Sequence, residues 1–66
     1  MHIYKTSIHP ESYEHAEQVL SQHLDTAEWT LDLEDCDRVL RVLTEPMRAQ
    51  QVADALRNGG WVCEEL

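Results

Sequence analysis

The stretch Trp29–Leu43, WTLDLEDCDRVLRVL, restricts the fold more than any other part of the chain. Apolar and polar residues alternate along both of its arms, which is the period of a strand with one face buried. Trp29, Leu31 and Leu33 share one face of the first arm, and Leu40 and Val42 share one face of the second. Setting Leu31 opposite Leu40 places Trp29 opposite Val42, and both pairs then fall on the same side of a sheet. A slip of one residue would send one arm's apolar set to the other face, so the register is strongly specified. Between the arms, Glu34-Asp35-Cys36-Asp37 has the length and the Asp content of a hairpin loop built on a type I turn.

The flanking segments extend this hairpin. His2–Ile8 (HIYKTSI) has the β-branched and aromatic content of a strand, with Tyr4, Thr6 and Ile8 on its core side. Pro10 suits a first helical position, and Glu11 and Glu14 suit the positive end of a helix dipole. Tyr13, Ala16, Val19, Leu20 and Leu24 then recur at helical spacing, giving one apolar stripe over Pro10–Leu24. After the hairpin, Pro46 opens a second helix whose stripe is Ala49, Val52, Ala53 and Leu56. Arg57 stands near its C-terminus, and Asn58-Gly59-Gly60 ends it, the glycines supplying a left-handed cap. Trp61–Leu66 reads as a last short strand.

The order β-α-β-β-α-β with short connections predicts one α+β domain over residues 1–66. Its compact form is a ferredoxin-like sandwich, a four-stranded antiparallel sheet with both helices on one face. Right-handed split crossovers put strand one beside strand three and leave strands two and four at the edges. Glu28, Asp32, Glu64 and Glu65 would guard those edges against mispairing. The same topology gathers the His9 loop, the Glu34–Asp37 turn and the Asn58–Gly60 cap at one end of the sheet.

Thirteen acids against five bases give a net charge of −8, which repels nucleic acid and anionic membranes and favours cations or a basic protein surface. No apolar run approaches the roughly 20 residues of a membrane span, and no signal-peptide pattern opens the chain, so a soluble cytoplasmic protein is expected. An apolar fraction of 42% predicts a folded core, but 66 residues leave little room for a deep cleft, and an enzyme is not expected. Cys36 and Cys63 lack metal-motif spacing and are expected as free thiols, Cys63 as a small buried residue. His15 and His23, eight residues apart and about 80° round a helix axis, read as surface residues.

KTSI before the first helix, W-x-L-D-L and D-R-V-L-R-V in the hairpin, and V-x-x-A-L-x-x-x-G-W before the last strand carry a resemblance. In these, nearly end to end, the chain resembles a heavy-metal-associated (HMA) domain, the fold of copper chaperones and of the N-terminal modules of metal-transporting ATPases. That family binds a soft metal such as Cu(I) through a C-x-x-C in the loop before the first helix. Alignment on the helix stripe puts His9 and Ser12 at the cysteine positions, whereas alignment on the strand puts Pro10 and Tyr13 there. Either way both thiolates are lost and the loop is degenerate. The resemblance then implies a non-catalytic binding module; the acidity favours a protein partner with a basic surface, and the open sheet face a second copy in a homodimer. Trp61 is the candidate partner-binding anchor. The alternative is a Zn or Cu site displaced onto His9 and Cys36, with Asp35 and Asp37 nearby.

Overall fold

A computed structural model describes the whole chain, Met1–Leu66. Strands β1 (His2–Thr6), β2 (Trp29–Asp32), β3 (Val39–Val42) and β4 (Cys63–Glu65) form one antiparallel sheet in the order β2-β3-β1-β4. Helices α1 (Tyr13–Ser21) and α2 (Pro46–Asn58) accompany it, so the protein is α+β. No helix is long and apolar enough to cross a membrane.

The hairpin pairs Trp29 with Val42 and Leu31 with Leu40, the register its alternation demands. Tyr4 stands opposite Leu40 on the other side of β3. These residues join Ala16 and Leu20 of α1 and Ala49, Val52, Ala53 and Leu56 of α2 in one buried cluster. Both helices bury their stripes against the same sheet residues; the other sheet face carries the exposed Lys5, Thr30, Arg41 and Glu64 together with Val39, which is buried. Leu20, Leu40 and Leu56 are fully buried, and each such side chain contributes about 1.5–3 kcal/mol by leaving water.

Four expected boundaries move, each for a local reason. β1 stops at Thr6 rather than Ile8 because the Thr6 hydroxyl donates to the Arg38 carbonyl (2.6 Å) and accepts from the Ile8 amide (3.3 Å), which turns the chain. Ile8 still buries completely. The first helix begins as a 3₁₀ turn, Pro10–Ser12, and its regular part ends at Ser21, although the Leu24 amide still donates to Leu20 at 2.8 Å.

The hairpin loop runs from Leu33 to Arg38, two residues longer than Glu34–Asp37. Asp32 ends the first arm by accepting from the Glu34 and Asp35 amides, and Asp35 accepts from the Asp37 amide. Arg38 returns the chain in the left-handed region, at φ 48°.

The last strand starts at Cys63, not Trp61. Of the two cap glycines only Gly60 is left-handed, at φ 96°; Gly59 is needed for space instead, since a Cβ there would lie 2.9 Å from Cζ3 of Trp61. Trp61 thus folds back over the helix end, its ring edge-on to His15 of α1 at 5.2 Å between centroids.

Candidate functional site

The end of the sheet that holds the hairpin loop is knitted to its neighbours by hydrogen bonds. Arg38 Nη1 donates to the Ile8 carbonyl at 3.1 Å, and the Thr6 amide donates to the Asp37 carbonyl at 3.0 Å. Ser7 exchanges bonds with Val62, its amide donating to the Val62 carbonyl and its hydroxyl accepting from the Val62 amide at 2.8 Å. The loop before α1, the hairpin loop and the approach to β4 therefore meet at this end.

Within it, the ligand atoms of Asp35, Cys36 and Asp37 lie within 4.8 Å of one another, with Cys36 exposed. His9 is not in that group. It precedes the 3₁₀ turn, where its Nδ1 accepts from the Glu11 amide at 3.4 Å as an N-cap. The structure thus places Cys36 with two carboxylates and His9 in a capping role. Ser12, Pro10 and Tyr13, the residues that the two alignments set at the thiolate positions, lie in the 3₁₀ turn and at the start of α1.

Trp61 is half-buried, packed against the core and His15, so only part of its ring is available to a partner. His15 is exposed and His23 half-buried. Cys63 is buried, and burial pushes its thiol up from an ordinary 9.0 to about 11, with Arg57 acting in the opposite direction and Asp54 adding to the rise. Tyr4 is shifted in the same direction, first by burial and then by the Glu65 carboxylate.

A second feature emerges only from the folded arrangement. Three acids on the segment through α1, two at the turn before β2 and four in the hairpin make nine of the thirteen, and residues 6–37 contain no lysine or arginine. Only Glu28 of the nine meets a basic side chain, Arg48, at 3.7 Å. The elements carrying them, α1, β2 and the hairpin loop, lie together at the β2 side of the sheet. There a shallow groove is lined by Tyr13 and Glu17 of α1, Thr26, and Trp29, Thr30 and Leu31 of the edge strand. The Tyr13 and Trp29 rings are tilted against each other at 6.5 Å. Trp29 is 7% exposed, and its indole Nε1 is buried without an acceptor. The charge asymmetry was readable from the spacing of the bases; the groove was not, because it needs α1 set against β2.

Fold and site together define a small α+β protein with an acidic edge and an exposed thiol loop. No family model, no curated protein and no solved structure matches the chain.

Proposed function

We propose that the chain is a non-catalytic binding module that engages a protein partner through a basic surface. The uneven charge carries this reading: residues 6–37 hold nine acids and no lysine or arginine, and only Glu28 of the nine forms an ion pair, with Arg48. Such a surface is self-repulsive and becomes favourable when a basic partner neutralises it. The strand order β2-β3-β1-β4 with two helices on one core supports a ferredoxin-like fold. With the sequence patterns quoted above, it supports descent from an HMA-type domain whose thiolate loop has degenerated. Affinity capture with the immobilised chain, followed by titration of the purified captured protein, tests the reading. The expected partner is basic, and its affinity falls as salt rises from about 50 to about 500 mM. A captured partner that is acidic, or whose binding is indifferent to salt, overturns it.

One observation favours a second reading, a displaced metal site: the close approach of Asp35, Cys36 and Asp37. A thiolate with carboxylates suits Zn(II) better than Cu(I), which prefers all-sulfur sets. Titration of the reduced protein with Zn(II) and Cu(I), followed by NMR, is the test. This reading requires tight binding with shifts at Cys36 that His9→Ala/Cys36→Ser removes. Equal affinity in wild type and variant ends it.

A further inference from the structure

β2 is an edge strand, and its register shows which of its backbone groups are free. The Leu43 amide donates to the Glu28 carbonyl at 2.6 Å, so that position is a hydrogen-bonded pair. Bonded and non-bonded pairs alternate along an antiparallel ladder, which makes Trp29–Val42 and Leu31–Leu40 the non-bonded positions. The N–H and C=O of Leu31 and the C=O of Trp29 therefore point away from β3, into solvent. The side chains of both residues face the helix layer, where the groove of Tyr13, Glu17 and Trp29 runs alongside. The Glu17 carboxylate makes no ion pair and no side-chain hydrogen bond within the chain.

We propose that the β2 edge and this groove take up an extended basic segment of a partner protein as an added strand. A lysine or arginine of that segment meets Glu17, and an apolar side chain two residues away lies over Tyr13 and Trp29. The inference deepens the binding-module reading and rests on it. Main-chain bonds to Leu31 and Trp29 supply affinity, and every second side chain of the segment reaches the groove. Charge complementarity selects the occupant. Glu17 lies in the groove with no basic partner and Asp32 ends the edge strand, while Glu28 at its start is already paired with Arg48. The groove is left with an unneutralised acid that attracts a basic strand. A second copy of β2 would bring the same carboxylates face to face and is repelled, which is how an exposed edge avoids pairing with itself.

The test uses the full chain, labelled for amide NMR, and a capped synthetic peptide Lys-Thr-Val-Thr-Lys-Thr-Val-Thr, which presents Lys and Val on one side and Thr on the other. Expected are shifts at Trp29–Asp32 and at Tyr13–Glu17, none with the peptide carrying Glu for Lys, and about five-fold weaker binding to Glu17→Gln. Two N-methylated versions give the decisive comparison. Methyl groups on the Lys and Val amides block an antiparallel added strand, and methyl groups on the Thr amides block a parallel one. One of the two is expected to bind at least about tenfold more weakly than the other. Equal binding of both, shifts confined to the hairpin loop or β4, or no shift at about 1 mM peptide overturns strand addition. Those results leave the wider reading standing, because it falls only with its own capture and salt titration.

Discussion

The guanidinium of Arg57 closes on the carbonyl oxygen of Cys63, with Nη2 at 2.6 Å and Nε at 2.9 Å. Position alone assigned Arg57 to the negative end of a helix dipole. In the fold it does more, tying the last turn of α2 to the first residue of β4. That strand has only three residues and pairs on one side alone, with β1, so a charged fork on its carbonyl is a large part of its anchorage. Arg57→Ala is expected to lower the unfolding free energy by about 1–3 kcal/mol. Arg57→Lys should recover less than half of that, since an ammonium cannot reproduce the fork. Urea unfolding of the two variants checks both values; full recovery by lysine would reduce the role of Arg57 to charge.

The two cap glycines separate by mechanism. At Gly59 the backbone is ordinary, but an added Cβ meets the Trp61 ring at 2.9 Å. At Gly60 nothing stands within 4 Å, but φ is 96°. Gly59→Ala should therefore move Trp61 and loosen its contact with His15, changing its fluorescence in a Trp29→Phe background. Gly60→Ala should cost about 1–2 kcal/mol of stability through backbone strain while leaving that emission unchanged. The reverse pattern of fluorescence would show that the ring does not rest on Gly59.

The two thiols should behave oppositely. Cys36 is exposed and reacts with a thiol reagent in the folded protein, whereas Cys63 waits for unfolding. The titration of Cys63 also gives a pH dependence. Its folded pKa of about 11 lies above the ordinary 9.0, so the native state holds this proton more tightly than the unfolded chain. The corresponding stability is fully present below about pH 9 and is lost as pH rises through about 11, a fall of at most about 3 kcal/mol. Tyr4, shifted upward as well, adds a loss in the same direction. Cys63→Val removes the thiol's share, so the alkaline limb of its stability profile should be shallower than that of the wild type.

What the sequence made legible was periodicity. The hairpin register follows from Trp29, Leu31, Leu40 and Val42 alone, because two alternating arms with one buried face have a single consistent alignment. The helix stripes follow for the same reason. What stayed hidden depends on polar side chains choosing between backbone partners. Asp32 and Asp35 extend the loop by accepting local amides, and a non-glycine residue at φ 48° leaves no sign of itself in the identity of Arg38. His9 carries the same lesson for the site. An imidazole before a proline reads equally as a ligand or as a cap, and only its distance to the Glu11 amide distinguishes them. The β2 edge groove needed tertiary placement, since Glu17 and Leu31 are fourteen residues apart and meet only once α1 is docked.

The charge distribution makes a last prediction about the free protein. Its only ion pairs to lysine or arginine are Arg48–Glu28 and Arg57–Asp54, both partly exposed and worth at most about 1 kcal/mol each. Against them stands the mutual repulsion of the acids along α1, β2 and the hairpin loop. Salt weakens both, but repulsion is summed over many unpaired charges and attraction over two pairs. Added salt should therefore raise the melting temperature, with the gain levelling off as the screening length approaches about 3 Å near 1 M. Glu17→Lys should raise the melting temperature at low salt, because it replaces one of the nine acids of residues 6–37, a stretch without lysine or arginine, by a base. Glu64→Lys should not, because Glu64 stands opposite Lys5 and the substitution sets like charges across β1 and β4. A melting temperature that falls with salt in the wild type would show that the ion pairs, not the repulsion, dominate the surface electrostatics of this domain.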